Sequence, residues 1–240
     1  METQQTRVRF TGGALASFGY SFLFLFLFFL ILPGAWGAVP FAVWWTAHLA
    51  FDDGARAEFT GRAGQVWVLM AGLAFLAYLP SLATAGLPKS GRTGFIQLAL
   101  SLVLFPLDAA LKLPIYRWFI ENIRLTPGGR PRFTATYAGY VGWLSLLLLS
   151  LVTVVGWAWA AVAMQRWFCR HIESEAYVVS FTGTGWGLLW RSLFWLVGMV
   201  LLLPLPWVFR SIYGWWAGNL VVTHTAAPAV ADDFPVFGTA

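Results

Sequence analysis

The chain has 240 residues, of which 59% are apolar or aromatic (AVILMFWYC) and only 10% are charged, and its mean hydropathy is +0.71. A soluble domain carries about 25% charged residues, so there is too little charge here to cover a water-facing surface. This excludes most soluble enzymes, a disordered protein and a nucleic-acid binder, and it makes the net charge of +5 a mark of cytoplasmic loops.

In chain order, the first predicted element is an apolar run over residues 17–32, preceded by Arg7 and Arg9 and followed by Pro33-Gly34-Ala35. That order resembles a secretory signal. Apolar character resumes at once over residues 35–51, however, and the segment matches three later ones, so it is read as a retained transmembrane helix. The match is an internal repeat. Phe10-Thr11, Phe59-Thr60, Phe133-Thr134 and Phe181-Thr182 open its four copies, three of which continue with glycine (Gly12, Gly61, Gly183) and one with Ala135. Each copy closes on Trp, aromatic, two variable residues, His or Asn, then Leu or Ile. The four endings are Trp44-Trp45-x-x-His48-Leu49, Trp118-Phe119-x-x-Asn122-Ile123, Trp167-Phe168-x-x-His171-Ile172 and Trp215-Trp216-x-x-Asn219-Leu220. From the Phe to the first Trp the offset is 34 residues in copies one, three and four and 59 in copy two. The copies span residues 10–51, 59–124, 133–172 and 181–222, with a polar tail over 223–240.

Within each copy the Thr is expected to cap a helix. About 19 apolar residues then reach roughly 28 Å, close to a hydrocarbon thickness of about 30 Å. Pro33-x-x-Trp36, Gly156-x-x-Trp159 and Pro204-x-x-Trp207 mark a turn at the far interface, and a second helix returns. The rival geometry is one spanning helix followed by a helix lying in the interface. Copy two adds residues 63–86 and 93–123, read as two long spans with the second kinked at Pro106 and Pro114. The expected fold is all-α: a single polytopic membrane domain of about eight transmembrane helices, built from four tandem helical hairpins with an insertion in the second. Ten arginines near the repeat ends face Lys89 and Arg92 on the other side, which puts the repeat ends and both termini in the cytoplasm.

Phe-Thr-Gly, an apolar helix, a Pro-Trp break and an aromatic-rich helix ending in Asn resemble the YjgN-like family of bacterial inner-membrane proteins. The similarity is greatest over residues 180–222, through Phe181-Thr182-Gly183, Pro206-Trp207 and Asn219. Copies one and three depart from that pattern by carrying His in place of Asn. The resemblance implies a bacterial inner-membrane location and no activity.

The candidate chemistry is sparse. His48 and His171 share a repeat position with Asn122 and Asn219, so they are at most distant candidates for haem or metal ligands. The plainer reading is a helix-end cap or an interhelical hydrogen bond, which both His and Asn can supply. Asp108 and Lys112 stand four apart in an apolar stretch, as an intramembrane ion pair would. Trp44, Trp118, Trp167, Trp215, Arg191 and Arg210 are candidate lipid or partner contacts, and Arg117 and Arg124 are expected to form an ion network with Glu121. With no GxxxxGK[ST], HExxH or convergent Ser/His/Asp set, neither a catalytic residue nor a cofactor is expected. The sequence points to a non-catalytic inner-membrane protein: an accessory or assembly subunit of a larger complex, or a lipid-organising scaffold, with membrane lipids and other membrane subunits as partners. A solute or ion transporter with a site at helices broken near Pro106, Pro114 and Pro204-Leu205-Pro206 is the alternative.

Overall fold

A computed structural model describes residues 4–126 and 128–224. Each sequence copy folds as strand, helix, helix, strand. Copy one is β1 (Gln4–Phe10), α1 (Ala14–Phe29), α2 (Gly34–Ala47) and β2 (Leu49–Phe51). Copy two is β3 (Arg56–Phe59), a 3-10 turn, α3 (Trp67–Ala83), α4 (Gly91–Glu121) and β4 (Ile123–Thr126). Copy three is β5 (Arg132–Phe133), α5 (Tyr137–Ser150), a second 3-10 turn, α6 (Trp157–Arg170) and β6 (Ile172–Glu173). Copy four is β7 (Tyr177–Phe181), α7 (Gly185–Leu201), α8 (Leu205–Gly218) and β8 (Leu220–His224).

The four helical hairpins of the sequence reading are present, but the chain is not all-α. A short antiparallel strand pair closes the base of each hairpin, in a register that repeats: Phe10 faces Leu49, Phe59 faces Ile123, Phe133 faces Ile172 and Phe181 faces Leu220. β1 also pairs with β8, making one four-stranded sheet in the order β2-β1-β8-β7. The cause is alternation. In Arg7-Val8-Arg9-Phe10 and Arg56-Ala57-Glu58-Phe59, every second side chain is apolar and turns inward while the charged ones face out. Thr223 and His224 belong to β8, so the tail begins later than expected; the rest of it lies outside the described residues.

Helix length also corrects the expectation of eight spans. α1 has 16 residues, α3 and α7 have 17, and α2, α6 and α8 have 14. At 1.5 Å per residue they extend about 21–26 Å. Among the described residues only α4, with 31 residues, is long and apolar enough to cross a membrane. The prolines do not break the helices: Pro106 and Pro114 lie inside a continuous α4, and Pro204 and Pro206 shape the start of α8.

The hairpins lean on one another around a ring. The first turns of α2 bring Ala35 and Ala38 against Val66 and Met70 at the start of copy two. The Tyr137 hydroxyl, at the start of α5, donates to the Pro106 carbonyl midway along α4 at 2.9 Å. Trp159 in the first turn of α6 lies 6.3 Å from Trp186 in the first turn of α7. α8 packs on α1 through Phe209 and Phe18 and through the Tyr213–Ser21 hydroxyl pair, and this closes the circle. In copies one and three the tip end of the hairpin thus meets the base end of the next.

Candidate functional site

The repeat signature is a clamp at the base of each hairpin. His48, Asn122, His171 and Asn219 are the C-cap residues of α2, α4, α6 and α8. Each side chain meets the carbonyl four residues back. His48 Nδ1 lies 2.8 Å from the Trp44 oxygen and His171 Nδ1 2.8 Å from that of Trp167, while Asn122 and Asn219 donate to Trp118 and Trp215 at 2.7 and 2.6 Å. A carbonyl only accepts, so both imidazoles carry their proton on Nδ1. The backbone oxygen of the same His or Asn accepts the N–H of Thr11, Thr60, Thr134 or Thr182 at 2.9–3.0 Å, and the threonine hydroxyl as well. This threonine therefore closes the hairpin and is not the expected helix N-cap. His and Asn are interchangeable here because each places one N–H donor on an orphan helix-end carbonyl.

The two histidines thus serve their own helices, no hydrogen bond or ring contact joins them, and the described residues hold no cluster of three or more His, Cys, Asp or Glu side chains. His171→Asn should keep the unfolding midpoint of the purified protein, whereas His171→Ala should cost about 1 kcal/mol, or about 2–4 °C. Equal losses for both variants in a thermal-shift assay would contradict the donor role.

The first tryptophan of each signature turns toward the protein. Trp44 is buried, and Trp118, Trp167 and Trp215 are half-buried. Trp44, Trp118 and Trp215 meet the Phe of their own copy edge-on at 5.6, 5.2 and 5.8 Å. The outer surface is carried by other tryptophans, among them Trp36, Trp186 and Trp207. Arg191 is exposed and bonds the Gly187 carbonyl of its own helix; Arg210 is exposed with no acidic side chain in ion-pair range among the described residues. Asp108 and Lys112 pair at 2.7 Å, each about one-third exposed. The expected Glu121 network does not form. Glu121 accepts the Phe133 N–H, while Arg117 donates to the Phe133 and Ala135 carbonyls. Arg166, at the matching position of copy three, donates to the Gly183 carbonyl at 2.7 Å. These two arginines tie copy two to three and copy three to four.

The axis of the ring holds a cavity of about 370 Å³ that the sequence reading did not anticipate. Its walls are built from equivalent positions of all four copies. One tier is the second aromatic of each signature (Trp45, Phe119, Phe168, Trp216), and another is the Leu or Ile after the cap (Leu49, Ile123, Ile172, Leu220). A third is the residue two before each Phe (Val8, Ala57, Pro131, Val179). Among the described residues no charged side chain lines it; its polar side chains include Gln165, Tyr116, Tyr177 and Cys169. The repeat alignment carried this signal, since each of these positions is apolar in every copy. Asp108 and Lys112 are not among the lining residues.

One polar cluster was missed outright. In the β2–β3 turn, Asp53 accepts the Thr6 hydroxyl at 2.7 Å and the Ala55 N–H at 2.9 Å, and its carboxylate lies 2.8 Å from His224 Nε2 at the end of β8. Both side chains are mostly buried, and the His224 contact is an ion-pair approach without good hydrogen-bond direction. Burial works against the charged carboxylate, but the Ala55 N–H, the Thr6 hydroxyl and His224 outweigh it and hold Asp53 below its ordinary range.

Comparison with family models, with curated proteins and with solved structures finds no match to this chain. The resemblance to the YjgN-like family therefore rests on the quoted motifs alone.

Proposed function

We propose that the chain is a non-catalytic membrane protein of the lipid-organising kind, whose ring of four hairpins holds one apolar lipid chain on its axis. The observation that carries this reading is the axial cavity, apolar at equivalent positions in all four copies. A volume of about 370 Å³ falls in the range of small-ligand sites. The wall is mostly apolar, with Gln165, Tyr116, Tyr177 and Cys169 among its polar-bearing side chains, so an apolar ligand suits most of its surface better than water does. An acyl or isoprenoid chain satisfies the wall with no polar partner. The resemblance and the arginine-rich strand layer support a bacterial inner membrane with the strand layer on the cytoplasmic side. That the Asp108–Lys112 pair stands apart from the cavity favours a holder over a conduit.

The test is lipid mass spectrometry on protein purified in mild detergent. Wild type should retain about one lipid per chain above the bulk level, and Ala57→Trp, which projects an indole into the cavity, should retain roughly tenfold less while eluting at the same size. Identical lipid content in the two proteins would sink the reading.

A further inference from the structure

The hairpins of copies one, three and four end differently from that of copy two. Their turns carry no charge: Leu32, Val152 and Leu203 are 64%, 84% and 86% exposed. Copy two turns through Lys89, Ser90 and Arg92, and the Ser90 hydroxyl caps α4 by accepting the Thr93 N–H.

The backbone repeats the distinction. Ile31, Val154 and Leu202 occupy the same place in their turns and have φ of 69°, 62° and 59°. Each sits in the middle of a three-residue turn closed by a backbone hydrogen bond: Leu32 N–H to the Leu30 carbonyl at 2.9 Å, Val155 to Thr153 at 2.7 Å and Leu203 to Leu201 at 2.6 Å. A turn of this kind with positive φ is rare and strained. A turn in water relieves the strain with Gly or Asn, whose shapes or side chains suit it. Here branched apolar residues hold the position three times over. Each closing bond pairs one N–H and one carbonyl inside the turn, which lowers the cost of holding that backbone away from water, and all three positions keep an apolar side chain.

Reach agrees. These six helices extend about 21–26 Å, and the hairpins lean, so that Trp159 at the tip end of copy three stands beside Trp186 at the base end of copy four. Tryptophan favours the headgroup layer, and this pairing keeps the tip of copy three near the strand-side interface. α4 is about 46 Å long by the same measure, and its tip end carries Arg92 next to Lys89 of the turn.

We infer that the hairpins of copies one, three and four are re-entrant, ending inside the hydrocarbon on the strand side, and that only the copy-two hairpin reaches the opposite aqueous face. The surface they present is for lipid chains, not for a second protein. The inference rests on the membrane seating proposed above, though not on the cavity holding a lipid.

Single cysteines test it, in full-length protein in sealed membrane vesicles of both orientations. Leu32→Cys, Val152→Cys, Leu203→Cys and Ser90→Cys are compared on a Cys169→Ala background. Should that background fold poorly, native Cys169, which is buried, serves as the unlabelled reference. An impermeant maleimide should label Ser90→Cys from the face opposite the strands and label the three tip cysteines from neither face. A fluorophore on the tip cysteines should be quenched by chain-brominated lipid. Tip labelling from the Ser90 face would mean full spans, and tip labelling from the strand face would mean tips in water. Tips neither labelled nor quenched would mean a protein partner covers them. Any of the three overturns the inference. Carbonate extraction of the unsubstituted protein is a separate control: release of the chain would reject the membrane seating itself.

Discussion

Gly61→Ala should destabilise the protein by about 2–3 kcal/mol, the upper part of the range for overpacking a well-filled site. A methyl group added at Gly61 would lie 2.6 Å from Phe59 Cζ and 2.9 Å from Trp118 Cζ2, closer than carbon atoms approach. Both rings are held by their neighbours. Phe59 is buried edge-on against Trp118 and packs on Phe119 at 5.6 Å, and the Trp118 indole N–H is held by Gln65 at 3.0 Å. Copy three shows what a larger residue demands. Where Ala135 replaces the glycine, Phe133 stacks on Phe168 at 5.6 Å with ring planes 8° apart, and Trp167 instead packs on Gly139. Ala135→Gly should therefore cost much less than Gly61→Ala. Thermal unfolding of both variants in one detergent decides the matter; equal midpoints would mean that the clamps are loosely packed.

Asp53→Ala should cost about 2 kcal/mol or more, since hydrogen bonds to a charged group contribute about 1.5–3 kcal/mol each and the change leaves His224 without its carboxylate. The effect should also depend on pH. The folded protein holds Asp53 below its ordinary range, so its contribution is fully present above the unfolded value near 3.8 and is lost as pH falls through the folded value. Wild type should thus lose stability below about pH 4 through this group, while Asp53→Asn should be less stable at neutral pH and flatter in that acid window. Parallel pH profiles for the two proteins would show that the carboxylate is not what holds the end of β8.

The sequence made the four copies legible because their defining residues are large, aromatic and fixed in spacing, as the 34-residue offset in three of them shows. It placed α3 and α4 within a few residues, since Leu87 to Arg92 is a polar break between apolar runs. The strands escaped notice. They are two to seven residues long, and Arg7-Val8-Arg9 reads as loop charge unless the alternation is compared across copies. The turns at Pro33, Gly156 and Pro204 were legible, but the helices before them are 16, 14 and 17 residues long, because each apolar run spends its last residues on the tight turn itself. Asp53 and His224 could not have been linked from sequence, because 171 positions separate them and only the closure of the ring brings them together.

Closure of the ring by β1 and β8 imposes an order on biogenesis. The first described strand waits for the last, with Gln4 opposite His224 and Arg7 opposite Val221. During synthesis the edge of β1 stays open until Leu220 to His224 has emerged, and the cavity lacks its fourth wall for as long. A ribosome that stalls within α8 leaves a crescent with an unpaired edge and an apolar trough, the kind of surface on which insertases and quality-control proteases act. Emergence of β8 and concealment of that trough are then a single event.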